Sequence, residues 1–283
     1  MRRAALPILL LLGACNAPLH DLPDGGLFGG CWEPSSSSVF AQPLTSPTAG
    51  CSLQGQPTGV LDLRTSGTVP AGGVLVVPEA DPGTPLPLVI VFHGAGGTGH
   101  DIRERFPLDA ATDGGAIVAY PNARAGTWDV GSRTTDGPMV SRLIGWVASQ
   151  YCVDPARIYA AGFSAGAVFT NFLACNVPQT FRAVGVVAGT DNRFEQSCCH
   201  GTVSAMFIHG TADEAIPFAQ GQDAAWHVRL RDHCGDGTTP DGSNCSAYAC
   251  PSSEAVDFCA WSGDHDVPPW ASEEVWRFFS AAP

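Results

Sequence analysis

Short apolar runs alternate with helix-like segments along most of the chain, and few folds accommodate such an order. Six runs are rich in Val, Ile and Ala with little polar–apolar alternation, as in parallel strands buried on both faces: PLVIVFHG, AIVAYPN, RIYAAGF, AVGVVAG, SAMFIHG and AVDFCAWSG. Two earlier runs, GVLDLRT and GGVLVVP, bring the expected total to about eight strands. We therefore predict an α/β fold with a mostly parallel, doubly wound sheet and functional residues at the carboxyl ends of its strands.

Helices are predicted between these strands, at about 102–112, 138–150, 165–175, 219–232 and 272–280. Only a short stretch separates AVGVVAG from SAMFIHG, and it contains two adjacent cysteines. This stretch leaves little room for a helical lid above the sheet. We therefore expect an open site at the carboxyl edge.

The N-terminus is typical of an export signal. MRR is followed by the apolar run LPILLLLGA, which is too short to span a bilayer. The run ends in LGAC, which resembles a bacterial lipobox whose cysteine, Cys15, is lipidated and becomes the mature N-terminus; ordinary cleavage a few residues later is the alternative. We predict a signal peptide at 1–14, a linker rich in Pro, Gly and Ser at 15–57, and a folded domain at 58–283. The protein would be exported, and either secreted or held at a membrane by lipid alone.

Charge and cysteine content exclude several functions. All 14 basic residues are Arg, so Schiff-base lysines and the P-loop lysine are ruled out, and a net charge of −13 argues against nucleic-acid binding. Ten of the 11 cysteines remain whether Cys15 is lipidated or removed. An even set in an exported protein favours up to five disulfides over metal binding, and neither a metal nor a cofactor is predicted.

Three disulfide placements are expected. Cys31 and Cys51 would pin the linker, and the cysteines of CGDGTTPDGSNCSAYAC would staple a small lobe. Cys152 and Cys175 are predicted to pair with each other, because a strand and the helix that returns beside it bring both to the lower edge of the sheet.

The stretch RIYAAGFSAGAVF contains a G-x-S-x-G pattern centred on Ser164. The pattern lies between a predicted strand and a predicted helix, where a serine sits on a sharp turn at a helix N-terminus. Gly162 and Gly166 would relieve the crowding of that turn. Ser164 is therefore the candidate nucleophile, and a glycine-rich packing turn is the alternative.

A serine hydroxyl is a poor nucleophile without a base, so a histidine oriented by a carboxylate is also needed. In this architecture the acid and then the histidine follow the serine along the chain. His265 fits, in the loop SGDHDVPPW after the last strand, whereas His227 and His233 lie in a predicted helix and are expected to be solvated or packed. Asp213, directly after SAMFIHG, is the candidate acid, and Asp191 is the alternative.

The same edge would supply donors for a developing oxyanion. The N–H of Ala165 follows the nucleophile, and the loop HGAGGTG offers a second donor, for which Ala95 is the candidate. Trp128, after another strand end, is a candidate wall of the substrate site, and a packing role is the alternative.

Together these stretches resemble a known family. PLVIVFHGAGGTG, VDPARIYAAGFSAGAVFTNFLAC, FIHGTADEAIPF and a late histidine before a Trp-containing terminal helix are similar to the polyhydroxybutyrate depolymerase and feruloyl esterase family of the α/β-hydrolase superfamily. The similarity runs from about Val60 to the C-terminus. It implies an α/β-hydrolase catalytic domain with Ser164, Asp213 and His265 as its triad.

The expected activity is hydrolysis of bulky or polymer-linked carboxylic esters through an acyl-enzyme, with an ester as the only expected partner. Two other functions stay open. One is a serine peptidase of the same superfamily, although no propeller or gating domain is recognisable in the sequence. The other is a surface-binding lipoprotein that keeps the fold without catalysis.

Overall fold

A computed structural model describes residues 31–131, 134–191, 196–199, 201–241, 244–251 and 254–282. Ten strands of this part form one sheet, in the order β1-β2-β4-β3-β5-β6-β7-β10-β9-β8. The strands are β1 (Gly59–Asp62), β2 (Gly73–Val77), β3 (Leu86–Phe92), β4 (Ile117–Pro121), β5 (Val153–Phe163), β6 (Ala183–Val187), β7 (Ser204–Gly210), β8 (Thr238–Asp241), β9 (Cys245–Tyr248) and β10 (Val256–Trp261).

The central six strands, from β4 to β10 in the sheet order, run parallel, and the two strands at each edge are antiparallel. The predicted α/β fold with a mostly parallel sheet is confirmed, and each of the eight predicted runs forms a strand. The other two strands, β8 and β9, form a hairpin in the stretch that was expected to be a stapled lobe. This hairpin extends the sheet beyond β10.

Six helices are described, and they cover both faces of the sheet. They are α1 (Gly99–Arg105), α2 (Leu108–Ala111), α3 (Asp136–Gln150), α4 (Ala165–Asn176), α5 (Phe218–Arg231) and α6 (Ala271–Ala281). One apolar core lies under α3, α4 and α5, and a second lies under α1, α2 and α6. The helix predicted at 102–112 is divided, because Pro107 lacks an N–H donor and disfavours helical backbone in Phe106 before it.

The described part of the predicted linker packs on the domain. Phe40 is buried in the core beneath α3 and α4, and the Trp32 ring lies 5.5 Å from that of Phe172. Cys31 is bonded to Cys198. From Cys31 onward the segment is therefore a wrapped extension of the domain and differs from the expected linker, because its aromatic side chains gain more by burial than by solvation.

Five disulfides join the ten cysteines that the structure describes, a pattern typical of extracellular proteins. They are Cys31–Cys198, Cys51–Cys152, Cys175–Cys199, Cys234–Cys250 and Cys245–Cys259. The last two staple the β8–β9 lobe, and the first two hold the N-terminal segment, as expected.

The predicted Cys152–Cys175 pair is wrong. β5 begins at Val153, whose N–H donates to the Thr48 hydroxyl at 3.1 Å, so the start of the strand lies beside the N-terminal segment and Cys51. The end of α4 lies instead beside the loop that follows β6, where Cys199 is found. The strand and the helix return to the same edge of the sheet but to different places along it.

The loop between β6 and β7 contains only a short 3-10 turn among its described residues, at Gln196–Cys198. No large lid covers the carboxyl edge of the sheet in the described part of the chain. None of the described helices combines the length and the apolar character needed to cross a bilayer.

Candidate active site

Ser164 occupies a sharp turn between β5 and α4. Its backbone angles, φ 55° and ψ −121°, lie in a region that residues other than glycine rarely adopt. The turn needs glycine on both sides: a Cβ on Gly162 would overlap the Gly166 carbonyl, and a Cβ on Gly166 would overlap the Phe92 carbonyl. The G-x-S-x-G pattern therefore lets the first turn of α4 pack tightly against the ends of β3 and β5, with Ser164 half-buried at the edge.

The side chains of Ser164, His265 and Asp213 form one hydrogen-bonded chain. His265 Nε2 lies 2.8 Å from Ser164 Oγ, and His265 Nδ1 lies 2.8 Å from Asp213 Oδ2. The three residues follow β5, β10 and β7, so the parallel sheet brings them to one edge. An ionised carboxylate only accepts hydrogen bonds, so Nδ1 carries the imidazole proton and Nε2 is free to accept from the serine hydroxyl.

Asp213 is held by its own turn. Its side chain is fully buried, and Oδ1 accepts hydrogen bonds from the backbone N–H groups of Ala215 at 2.9 Å and Ile216 at 2.8 Å. Oδ2 faces His265. The carboxylate is thus fixed with one oxygen on backbone amides and the other on the imidazole.

The alternative residues named from the sequence lie elsewhere. Asp191 accepts a hydrogen bond from a different histidine, His227, with 2.8 Å between Oδ2 and Nδ1. His227 lies in α5, and His233 is exposed just beyond the end of that helix. Neither histidine is joined to Ser164, whose described imidazole partner is His265.

The loop after β3 lies against the serine. A Cβ built on Gly94 would be 3.4 Å from Ser164 Cβ, which places the next residue, Ala95, beside the turn. The N–H of Ala95 has no backbone acceptor among the described residues. The N–H of Ala165 is the first of α4, where helical N–H groups have no partner within the helix.

His93 fixes this loop. Its Nδ1 lies 2.7 Å from the Gly94 carbonyl oxygen, and its Nε2 accepts from the Ala123 N–H at 3.0 Å, so the ring is neutral with its proton on Nδ1. Burial lowers the pKa of His93, which favours the same neutral form. The Gly96 N–H donates to the Gly126 carbonyl at 2.7 Å and ties the far side of the loop.

Trp128 does not form the expected wall of a substrate site. It is 5% exposed, and its ring stacks on Phe169 with centroids 5.1 Å apart. Its Nε1–H donates to the His93 carbonyl oxygen at 2.7 Å. The packing alternative therefore holds, because the loop after β4 turns the indole inward, where it supports the Gly94–Ala95 loop from behind.

Two histidines beside the site were not identified from the sequence. His93 fixes the loop after β3, and His209 Nε2 lies 3.3 Å from Asp213 Oδ2. The signal for both was an H-G pair at the end of a buried strand, in PLVIVFHG and SAMFIHG.

Among the described residues, no cluster of three or more His, Cys, Asp or Glu side chains could hold a metal ion.

Comparison with known proteins gives the family. Residues 75–235 match the model of the family described as esterase PHB depolymerase, a range that includes Ser164 and Asp213 and ends before His265. A probable feruloyl esterase C from Aspergillus niger is 30% identical over 226 residues, covering 72% of this chain and 81% of the relative. Feruloyl esterase C from Emericella nidulans is 29% identical over 229 residues, covering 74% and 83%.

The fold is similar to that of an acetyl xylan esterase from Aspergillus awamori, with a TM-score of 0.62. The two share 19% identity, and the match covers 78% of this chain and 99% of that structure. The predicted α/β-hydrolase fold and the family resemblance are therefore confirmed. Since the family model spans more than half of the sequence, the chain belongs to the esterase PHB depolymerase family of carboxylic ester hydrolases.

Proposed function

We propose that the chain is a serine carboxylesterase that acts through an acyl-enzyme on Ser164. The observation that carries the proposal is the hydrogen-bonded chain from Ser164 through His265 to Asp213 at an open sheet edge. Ser164 is the nucleophile, His265 the general base and acid, and Asp213 the group that orients the imidazole.

In the first half-reaction, Ser164 Oγ attacks the ester carbonyl carbon and its proton passes to His265 Nε2. The Nδ1–H stays on the imidazole and donates to Asp213, which stabilises the imidazolium. The imidazolium then protonates the alcohol oxygen as its bond to the acyl carbon breaks. In the second half-reaction water attacks the acyl carbon and gives a proton to His265 Nε2. The imidazolium then returns this proton to Ser164 Oγ as the bond between Oγ and the acyl carbon breaks, and the acid leaves.

The tetrahedral intermediate carries a negative charge that needs donors. We assign this role to the N–H groups of Ala95 and Ala165, which lie on either side of the Ser164 turn. The N-terminal end of α4 adds the positive end of its dipole. Fixed donors of this kind are worth about 3 kcal/mol each to acyl transfer in other enzymes.

The substrate we propose is a bulky or polymer-linked ester. The described residues between β6 and β7 form no helical lid, and we therefore expect a large group to reach the site. The relatives named feruloyl esterase and acetyl xylan esterase favour feruloyl or acetyl groups as the acyl part, and the family name adds 3-hydroxybutyryl esters.

We also propose that the mature chain is exported and carries a lipid on Cys15. That residue, the predicted signal peptide and the predicted linker up to residue 30 lie outside the described residues. Cys31, where the described chain begins, is bonded to Cys198, next to the cysteine that holds the end of α4. Ser164 lies at the other end of that helix, so an anchor would enter at the edge of the sheet opposite the active site.

The proposal is tested by labelling with a fluorophosphonate and by assaying a panel of acetyl, feruloyl and 3-hydroxybutyryl esters. Ser164→Ala should lose labelling and reduce kcat by about 10⁴-fold or more. Ser280→Ala, which removes an exposed hydroxyl on α6, is the matched control and should behave as wild type.

Equal labelling of wild type and Ser164→Ala would exclude Ser164 as the nucleophile. Turnover of peptide amides without turnover of esters would point to a serine peptidase. A folded wild-type protein that neither reacts with the probe nor hydrolyses any ester would favour a non-catalytic binding role.

A further inference from the structure

We propose that a second histidine, His209, is a positioning residue that holds the Asp213 turn in its active geometry. The inference rests on the proposed esterase reaction. His209 is the penultimate residue of β7 and is 2% exposed. Its Nε2 lies 2.8 Å from the Ile216 carbonyl oxygen and 3.3 Å from Asp213 Oδ2.

The two oxygens decide where the imidazole proton lies. A carbonyl and a carboxylate are both acceptors, so the nitrogen that faces them must carry a hydrogen. His209 therefore donates through Nε2. Burial lowers the pKa of His209, so the ring is neutral and acts as a fixed donor.

His209 holds the turn from Asp213 to Ile216 through a hydrogen bond to the last residue of the turn. The Ile216 N–H donates to Asp213 Oδ1, while the Ile216 carbonyl accepts from His209. Ile216 is thus hydrogen-bonded through its N–H to the Asp213 carboxylate and through its carbonyl to His209 at the end of β7. Without the hydrogen bond from His209 to the Ile216 carbonyl, the amides of Ala215 and Ile216 are free to rotate away from the carboxylate.

The packing around His209 leaves the ring one position. A Cβ built on Gly221 of α5 would overlap the imidazole, so only glycine lets the helix approach. The ring of Phe218, one turn earlier, meets the imidazole edge-on with centroids 6.0 Å apart. The first turn of α5 therefore fixes the orientation of the His209 ring by packing against it.

The consequence for catalysis is indirect. Asp213 Oδ2 must face His265 Nδ1 to keep the imidazole in the tautomer that accepts from Ser164. A rotation of the carboxylate misplaces the base without touching the substrate pocket. The loss should therefore appear in kcat and kcat/KM equally, with KM unchanged.

The experiment compares His209→Gln with His209→Met, two side chains of similar size of which only glutamine can donate. Activity is normalised to the sites that react with a fluorophosphonate, so misfolded protein is not counted. His209→Met should lower kcat about 10- to 100-fold with KM within about 2-fold, as small misplacements do in other enzymes. His209→Gln should restore kcat to within about 3-fold of wild type.

Gly221→Ala is the second variant, in case His209→Met does not fold. Alanine favours the helix, while its Cβ displaces the His209 ring, so kcat should fall by about 10-fold in a protein that stays folded. The low-field proton resonance of His265 Nδ1–H should shift or broaden in this variant. His227→Leu, which breaks the other Asp–His bond of α5, is the control and should leave kcat and this resonance unchanged.

A melting temperature that falls while kcat per labelled site stays at the wild-type value in His209→Met and in Gly221→Ala would overturn the proposal and leave His209 a purely structural role. Equal losses in His209→Gln and His209→Met would also overturn it, because the donor would not matter. Ser164→Ala separates this failure from a failure of the proposed function. If Ser164→Ala still labels, the reaction itself is misassigned.

Discussion

Two Asp–His pairs of equal length lie in different surroundings in this molecule. Asp213–His265 and Asp191–His227 both have 2.8 Å between Nδ1 and Oδ2. The first imidazole also reaches Ser164, and its carboxylate receives two backbone amides. The second pair joins the loop after β6 to the third turn of α5, and its imidazole is 37% exposed against 24% for His265.

The difference shows that an Asp–His hydrogen bond does not by itself define a catalytic site. The bond to Asp191 raises the pKa of His227, which favours the charged imidazolium and an ion pair. A general base has to offer an unprotonated nitrogen to its nucleophile instead. What sets the first pair apart is the serine on a strained turn and a carboxylate that accepts two backbone N–H groups in addition to the imidazole.

The largest expected difference comes from replacing each acid. Asp213→Asn should lower kcat by about 10³- to 10⁴-fold, because an amide cannot hold the imidazole in the required tautomer or stabilise its charge. Asp191→Asn should stay within about 2-fold of wild type. Steady-state kinetics on one ester substrate measures both. A loss of kcat of similar size in the two variants would contradict the assignment of Asp213, and not Asp191, as the acid of the active site.

Much of the fold and of the first pair could be predicted from the sequence. Six apolar runs form the six parallel strands, because parallel strands covered on both faces need continuous apolar side chains. The two earlier runs form the antiparallel strands β1 and β2. The order of Ser164, Asp213 and His265 followed from the sheet, since each lies just beyond the carboxyl end of a strand. Such positions depend on local pattern and topology, and both can be seen in a sequence.

Contacts between distant segments could not be predicted in this way. The partner of Cys152 depends on where residues 48–51 cross the start of β5. The inward turn of Trp128 depends on a carbonyl of another strand end, that of His93. Neither pairing leaves a periodic signal, because each is decided by tertiary packing.

An intermediate effect is expected from loosening the Gly94–Ala95 loop, for which the second pair has no counterpart among the described residues. Trp128→Phe removes the hydrogen bond to the His93 carbonyl and leaves a gap in the stack on Phe169. We expect kcat to fall by about 10-fold, as the loop loosens, and stability to fall by about 1–3 kcal/mol. Kinetics and urea unfolding measure the two losses. A rise in KM with unchanged kcat would instead restore Trp128 as a wall of the substrate site.

The smallest effect is expected at the second pair and concerns stability. The hydrogen bond to Asp191 raises the pKa of His227 above its ordinary value of 6.5 in the folded protein. The stability that the pair contributes is therefore complete below pH 6.5 and is lost as the pH rises through the raised pKa. Since the imidazole is 37% exposed, solvent screening should keep this contribution below about 1 kcal/mol.

The free energies of unfolding of wild type and His227→Gln should thus differ more at about pH 5 than at about pH 8, at unchanged kcat. Urea unfolding with the disulfides intact measures this, and a difference that grows with pH would show that His227 is held as the neutral form.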